Sequence, residues 1–459
     1  MPPKISAEDN HWYLLATLYG VPGKHDEGLR EKNRTAWNRY LAADLDEKIR
    51  ARLITEKRHT AEELVPYSPE EWQTKVAERC KASAKDPEQV VADLKDDVII
   101  DFSNVEFEHD ASFKQYIFSR HASFRDAAFR SSADFAGATI FHRGANFGGA
   151  TFFWDANFDG ANFAGSASFC GGKFYHSANF SRSNLGLASF IDVKFFGAAY
   201  FVDTTFAQWG HFQRAAFIRL VTFGGATFSE EANFDEAIFC RRADFGKGSA
   251  NGKGNITSFC GITSFVNAEM KQEVSFEGAV FKTEPPRFFG ARLHQSTVWR
   301  GIKWPLPKNK NEAGTFIDAY ACLKLEMDRL KKHEDELEFF AHELGSRRVH
   351  LGPWRGLPIA LYELLSNYGR SYLRPFAAIV VLSIIGAGVF WYFDARSFGE
   401  ASALSAANAL NIFGFRRDSG LETCTPLAWL KVFSAIQTIL GAILLFLVGL
   451  GIRNKFRMK

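Results

Sequence analysis

Residue types that carry out catalysis occur in this sequence, but their spacing does not build a catalytic site. The six cysteines contain no C-x-x-C pair, which argues against a zinc ribbon, a thioredoxin-like site or a disulfide scaffold. Glu338 and His342 lie one helical turn apart, yet no second histidine follows at a ligand spacing. Neither a Ser/His/Asp constellation nor a nucleotide-binding fingerprint is present. The sequence therefore predicts no enzyme activity, no catalytic residue, no cofactor and no metal.

The balance of charge bears on the choice of partner. The whole chain carries 55 basic and 52 acidic residues, for a net charge of +3. The stretch from 101 to 300 has 19 of each and is neutral. Such a surface neither attracts duplex DNA nor imitates its charge of about one per 1.7 Å. We therefore expect no nucleic-acid partner.

A repeat of phenylalanine dominates the middle of the chain. Of the 46 Phe, 34 lie between Phe102 and Phe289, at steps of five and six that alternate. Ala commonly stands two positions before the Phe, with Ser, Asn or Asp between them. Since residues i and i−2 of an extended chain share a side, Phe and Ala should point inward. The predicted core positions are Phe113, Phe118, Phe124, Phe129, Phe135, Phe147, Phe152, Phe158, Phe163, Phe169, Phe174, Phe180, Phe201, Phe206, Phe212, Phe217, Phe223, Phe228, Phe234, Phe239 and Phe245.

This pattern resembles the pentapeptide-repeat family, whose motif is A-(N/D)-F-x-x. Matching runs are Ala156-Asn157-Phe158, Ala161-Asn162-Phe163 and Ala232-Asn233-Phe234. The resemblance implies a right-handed quadrilateral β-helix over residues 101–300, a mainly β solenoid. The extra residue in alternate steps lengthens each coil from 20 to 22 residues, so about nine coils are expected.

Helical segments flank the repeat. Residues 1–100 are predicted to form a helical N-terminal cap, because the ends of solenoids need covering. Residues 301–371 are predicted to form a helical connector with a short heptad seam at Phe316, Tyr320, Leu323, Met327 and Leu330. Two interpretations of the connector remain open: a helical hairpin that caps the rod, or an oligomerisation helix.

Residues 372–459 carry a membrane signal. Two uncharged apolar segments, at about 375–393 and 430–452, are long enough to span a bilayer. Nine basic residues flank them on their outer sides: Arg347, Arg348, Arg355, Arg370, Arg374, Arg453, Lys455, Arg457 and Lys459. The connector between the segments has more acidic than basic residues. The positive-inside rule then predicts a multi-pass protein of the bacterial cytoplasmic (inner) membrane with both termini cytoplasmic.

The tail also resembles the channel-like end of some bacterial pentapeptide-repeat proteins, through Tyr368-Gly369-Arg370-Ser371 and Arg453-Asn454. The resemblance implies a re-entrant helix and a filter in the connector, and the apolar stretch 401–413 suits the helix. A potassium filter motif is absent. The candidate pore or interhelical residues are Asn408, Asn411, Arg416, Arg417 and Gln437. For Gln437, an interhelical hydrogen bond and a pore-lining position both remain open.

Two functions are compatible with this organisation. The first is a membrane-anchored, non-enzymatic pentapeptide-repeat protein whose cytoplasmic β-helix is a scaffold that binds an unknown protein partner. The alternative is a subunit of a homo-oligomeric two-span ion channel with a cytoplasmic β-helix regulatory domain. The sequence favours the first.

Overall fold

The computed structural model describes residues 4–23, 26–56, 58–248, 254–394, 397–410 and 428–457. The chain forms two compact units, Met1–Pro305 and Leu306–Lys459. The first contains the phenylalanine repeat and the helices before it, and the second is helical.

Residues 99–281 form a parallel β-solenoid, which confirms the predicted fold class, and it has about eight turns. Equivalent residues pair in parallel one turn apart, for example Ala156 with Ala178 and Phe152 with Phe174. Each turn contributes to four ladders of short strands, which we number in the order in which the chain meets them.

The strands of the four ladders are as follows. The first ladder contains Ile99–Asp101, His121–Ser123, Ala145–Asn146, Gly210–His211, Ala232–Asn233 and Thr263–Ser264. The second contains Ile5–Ser6, Val105–Phe107, Ala128–Phe129, Thr151–Phe152, Lys173–Phe174, Lys194–Phe195, Ala216–Phe217, Ile238–Phe239 and Glu269–Met270. The third contains Ala111–Ser112, Ala133–Asp134, Ala156–Asn157, Ala178–Asn179, Ala199–Tyr200, Val221–Thr222, Ala243–Asp244 and Val274–Ser275. The fourth contains Ile117–Phe118, Ile140–Phe141, Thr205–Phe206, Thr227–Phe228, Ser258–Phe259 and Val280–Phe281, and two longer strands, Asn162–Ser168 and Asn184–Ser189, belong to both the fourth and the first.

Stacked phenylalanine rings fill the solenoid. Every predicted core Phe from Phe113 to Phe245 is at most 1% exposed. Rings one turn apart are parallel: Phe158 lies 5.0 Å from Phe135 and 4.8 Å from Phe180 between ring centroids. Burial of a Phe at every inward position provides the apolar area that holds successive turns together.

The shorter, five-residue steps turn at a residue with positive φ, two places after the Phe. Asp126 has φ +55°, Gly149 has φ +69° and Gly171 has φ +68°. Gly, Asn and Asp tolerate this left-handed conformation best, which explains their frequency at this position.

The solenoid has about eight turns rather than the nine expected. Beyond Phe281 only isolated bridges continue the ladders, such as Ser275 with Val298 and Val280 with Lys303. Lys247 and Ile256 also form an antiparallel bridge, which does not belong to the parallel ladders. Residues 249–253 lie outside the described residues. These irregular segments account for the missing turn.

Helices cover the first turns of the solenoid. They are α1 (His11–Ala16), α2 (Glu27–Leu41), α3 (Glu47–Thr55), α4 (Pro69–Ser83) and α5 (Pro87–Asp96), with short 3-10 turns at Ala7–Asp9, Ala42–Asp44 and Glu62–Leu64. Trp37 of α2 is fully buried, packs 5.3 Å from Phe118 and donates a hydrogen bond to the carbonyl oxygen of Ile117 at 2.8 Å. The neighbouring Asn38 accepts a hydrogen bond from the Ile117 amide at 2.9 Å. These side chains satisfy backbone groups that a preceding turn would otherwise pair.

The second unit contains six helices among its described residues: α6 (Lys310–Arg329), α7 (His333–Arg355), α8 (Leu357–Ser366), α9 (Leu373–Phe393), α10 (Phe398–Ala409) and α11 (Ala428–Arg457). The seam of α6 packs against α7 in a helical hairpin, in which Tyr320 stacks on His342 at 5.2 Å. Lys324 and the buried Glu343 form an ion pair at 2.6 Å across the hairpin.

Candidate functional site in the C-terminal module

The C-terminal module, which we define as α9, α10 and α11, is built around the short helix α10. At one end of α10, Ala401 and Leu404 pack with Phe390 of α9 and Leu430 of α11. The other end of α10, at Ala409, packs with Ile379 of α9 and Leu444 of α11. Helix α10 therefore runs antiparallel to α9 and fills the groove between α9 and α11.

The far end of α10 lies past the midpoint of α9 and near the midpoint of α11. Ala409 packs with Ile379 of α9 and Leu444 of α11. Along α9, Phe390 and Ile379 are separated by a rise of about 16 Å at 1.5 Å per residue. The segment between the two apolar helices thus turns back and penetrates deep between them.

Two glycines make room for α10. A Cβ on Gly441 of α11 would lie 2.3 Å from the carbonyl oxygen of Ala409 and 2.8 Å from its Cα. A Cβ on Gly386 of α9 would lie 2.3 Å from the hydroxyl of Ser405. Small residues allow helix backbones to approach closely inside apolar surroundings. The groove is therefore shaped for this helix.

A buried polar cluster joins the three helices at this level. The Gln437 amide of α11 donates to the Ser405 hydroxyl at 2.6 Å and to the Leu382 carbonyl oxygen of α9 at 3.3 Å. Ser405 in turn donates to the Ser383 carbonyl oxygen at 2.7 Å. Asn408 donates to Gln437 Oε1 at 3.2 Å. Each of these interactions links two different helices.

Two buried polar atoms near the cluster lack a hydrogen-bond partner in the part of the chain that the structure describes. Asn408 Oδ1 and Ser434 Oγ are buried and have no hydrogen-bond partner among the described residues. An unpaired polar atom in apolar surroundings costs about 1–3 kcal/mol. This part of the module therefore has spare capacity to bind a donor.

The outer faces of the long helices are apolar and exposed. Among the 18 consecutive residues that are most apolar in each helix, only 22% are buried in α9 and 28% in α11. The exposed large side chains include Phe376, Val381, Ile384, Tyr392, Val432, Ile439 and Phe446. Both helices are long and apolar enough to cross a membrane.

The opposite end of α11 is tied to the turn that precedes α9. Asn454 donates a hydrogen bond to the Gly369 carbonyl oxygen at 3.0 Å, and a Cβ on Gly451 would lie 2.9 Å from the Tyr372 backbone. Asn367, Tyr368 and Gly369 all have positive φ, which makes this a tight turn. The close approach fixes the start of α9 against the end of α11.

The final turn of α11 takes part in an ion-pair network with α6 and α7. Arg457 lies 3.7 Å from both Asp328 and Glu336, which together with His333 present ligand atoms within 4.8 Å of one another. The Arg457 guanidinium faces both carboxylates and offsets one of their two negative charges. Glu338 and His342, the pair singled out in the sequence, are 3.9 Å apart and form a surface contact.

The structure brings together two of the five predicted pore or interhelical residues, Asn408 and Gln437. Gln437 makes interhelical hydrogen bonds and is 1% exposed within the single chain. The other three, Asn411, Arg416 and Arg417, lie outside the described residues. Sequence reasoning missed Ser405, Gly386 and Gly441, whose only signal was that small residues in apolar helices often mark close contacts.

Comparison with known proteins gives no match: no family model, curated protein or solved structure is similar to this chain at a significant level. The functional argument therefore rests on the residues and geometry described above.

Proposed function

We propose that this chain is a non-enzymatic, membrane-anchored protein of the pentapeptide-repeat type, and that its C-terminal module is the subunit of an oligomeric pore. Helix α10 carries this proposal. A simple anchor needs two apolar helices and a polar loop, whereas here the loop returns between the helices along matched glycines. A segment at this depth is tolerated in a bilayer when protein buries it, as in re-entrant pore helices.

The depth of α10 fits this proposal. The hydrocarbon core of a bilayer is about 30 Å thick, and α10 extends along α9 for about half of that distance. The end of α10, at Ala409, then lies in the interior of the bilayer, away from both surfaces. In a ring of subunits, neighbouring copies would bury the end of α10 away from lipid.

The exposed apolar surfaces of α9 and α11 support the proposal that these helices lie in a membrane. A core helix of a soluble protein is mostly buried, whereas the apolar stretches of α9 and α11 are mostly exposed. We propose the bacterial cytoplasmic membrane, with both termini cytoplasmic, on the basis of the basic residues beside α9 and after the apolar part of α11. Reporter fusions after Lys459 and within 394–426 test the orientation. An exported signal from the Lys459 fusion would contradict it.

Ion flux from liposomes that contain the purified full chain tests the pore. We expect flux from the wild type, little from Gly441→Ala because it displaces α10, and wild-type flux from Gly449→Ala. Gly449 lies on the same helix, and a Cβ added there would meet no atom of another described segment within 4 Å. Absence of flux over a range of ions and voltages, or flux that Gly441→Ala leaves unchanged, would contradict the proposal.

A scaffold role for the solenoid is the second candidate, and one observation favours it. Among residues 99–281, six aromatic side chains are not buried, and four of them gather at one corner: Phe153, Trp154, Tyr175 and Phe196. Exposed aromatic residues on a rod whose core is already complete suggest a binding surface.

A further inference from the structure

The corner between the second and third ladders contains a groove that the fold itself does not need. Its volume is about 590 Å³. We define the corner groove by Tyr175, Phe196, Gly197, Arg219, Arg241 and Arg242. It lies on the outside of the solenoid, where successive turns place equivalent residues side by side.

An aromatic wall and a missing side chain shape the groove. Tyr175 stacks 5.4 Å from Phe153 and 4.8 Å from Phe196, outside the core. At the next position the turns below and above carry His176 and Arg219, but the turn between them carries Gly197. A Cβ on Gly197 would lie 2.1 Å from the carbonyl oxygen of His176, so no larger residue fits there. The gap is therefore a fixed feature of the corner.

The charges of the groove are unbalanced. Arg219 and Arg241 are exposed and form no ion pair with any described residue, and Arg242 approaches Glu273 only to 3.9 Å. No carboxylate lines the groove.

Arginines at two other corners of the solenoid behave differently. Arg214 pairs with Asp192 of the turn below at 2.7 Å, and Arg182 pairs with Asp159 in the same way. The stretch from 101 to 300 is neutral as a whole, so the positive excess in the groove is local. Such a site is complementary to a few carboxylates held close together.

We propose that the corner groove binds an acidic, extended peptide segment of a partner protein. Carboxylates of the peptide pair with Arg219, Arg241 and Arg242, and an intervening apolar side chain packs on Tyr175 and Phe196. Arg and aromatic residues are the types that dominate the energy of protein interfaces. The proposal deepens the scaffold candidate and is independent of the pore.

The groove is better suited to a peptide than to a nucleic acid. A nucleic acid needs a long basic track for its regularly spaced phosphates. Here, Asp155 below the groove and Glu273 above it limit the positive region to a short stretch. A strand of phosphates would pass these carboxylates at both ends.

A binding experiment on the full chain in detergent micelles tests the proposal. The probe is a fluorescent twelve-residue peptide of alternating Glu and Tyr with a photoreactive group at its centre. We expect saturable binding, cross-links to the corner groove, and at least a tenfold loss of affinity in the double variant Arg219→Glu/Arg241→Glu. Tyr175→Ala should weaken binding without changing the charge. Arg214→Glu is the matched control, and its affinity should stay within twofold of wild type.

Each other outcome overturns the proposal in a distinct way. Cross-links on another face of the solenoid would reject the groove and leave the scaffold candidate standing. Equal binding of a peptide with Gln in place of Glu would reject the charge recognition. In another outcome, the protein binds a twelve-nucleotide oligo-dT and not the peptide, and the double variant Arg219→Glu/Arg241→Glu abolishes that binding. This result would reject the peptide and identify a single-stranded nucleic acid as the ligand of the groove. Binding of neither probe would reject the groove as a site.

Discussion

The side-chain amide of Gln437 donates a 2.6 Å hydrogen bond to the hydroxyl of Ser405, which is itself bonded to the carbonyl oxygen of Ser383. This short chain of bonds crosses α11, α10 and α9 in turn. Apolar contacts also join the three helices, but such contacts specify the register of the helices only weakly. The polar chain therefore fixes where α10 sits between its neighbours.

Replacement of Gln437 by Leu should destabilise the module modestly. The change removes the donor to Ser405 and the acceptor for Asn408, and interhelical hydrogen bonds in membranes contribute about 0.6–2 kcal/mol. Thermal unfolding of the detergent-solubilised protein measures the effect. Ser405→Ala should cost a similar amount, and the double variant less than the sum, because both changes break the same bond. Additive effects would show that the two side chains do not interact.

Gly441→Ala should destabilise the module more than Gly449→Ala does. The first methyl group meets the Ala409 backbone, which cannot turn aside as a side chain can. Overpacking of this kind costs about 1–3 kcal/mol. The second methyl group meets nothing within 4 Å and improves helix propensity. Unfolding temperatures of the two variants in the same detergent provide the comparison, and equal values would mean that α10 does not pack against Gly441.

Phe158→Ala should cost about 3–5 kcal/mol, the usual loss for a buried Phe. Its ring is fully buried between Phe135 and Phe180. Asn157→Ser is the matched change on the outward side of the same strand. Circular dichroism during thermal unfolding compares them. A larger loss for Asn157→Ser would reverse the assignment of the two sides.

Asn157 does not simply face solvent, as the alternation of inward and outward residues suggests. It donates to Asp134 at 3.3 Å, accepts from Asn179 at 3.3 Å and accepts from the Asp159 amide at 3.2 Å. It is half-buried in a ladder of amide side chains. We therefore expect Asn157→Ser to cost about 0.5–1.5 kcal/mol, the usual value of a hydrogen bond.

The N-terminal helices should loosen in acid because of Glu63. Burial acts to raise the pKa of this carboxyl, but hydrogen bonds from His59 and Arg34 and the positive charge of Arg34 outweigh it and hold the pKa below its ordinary value. The stabilisation is thus complete above the unfolded-state pKa, near 4.3, and is lost as the pH falls through the folded-state pKa.

Hydrogen exchange of α2, corrected for the intrinsic rate at each pH, reports this loss. We expect protection of α2 to fall below about pH 4 in the wild type. The fall should be smaller in Glu63→Gln, which no longer titrates. Glu62→Gln, at the exposed neighbouring position, should follow the wild type. Identical profiles for all three proteins would remove Glu63 as the cause.

The solenoid could be predicted because its sequence signal repeats. Each inward Phe makes the same contacts as its equivalent one turn away, so a five/six spacing alone determines the parallel ladders. The turn count failed where the repeat ends in isolated bridges, because Trp299 and Trp304 continue the ring stacks without regular strands.

The module could be predicted only in part. Apolar length identified α9 and α11, and an amide within an apolar run singled out Gln437. Ser405 and Gly441 could not be identified in advance, since their roles depend on where α10 lies in three dimensions. Small residues are common in apolar helices, and nothing in their spacing shows which of them faces a neighbour.

Native mass spectrometry of the detergent-solubilised protein tests the pore proposal most directly. One copy of the module cannot enclose water away from lipid, so a pore requires a ring of identical subunits. We predict a closed homo-oligomer of three or more copies of the 51.5 kDa chain in a mild detergent. A single species at 51.5 kDa, in detergents that preserve the fold of the module, would contradict the pore and leave the C-terminal helices as an anchor.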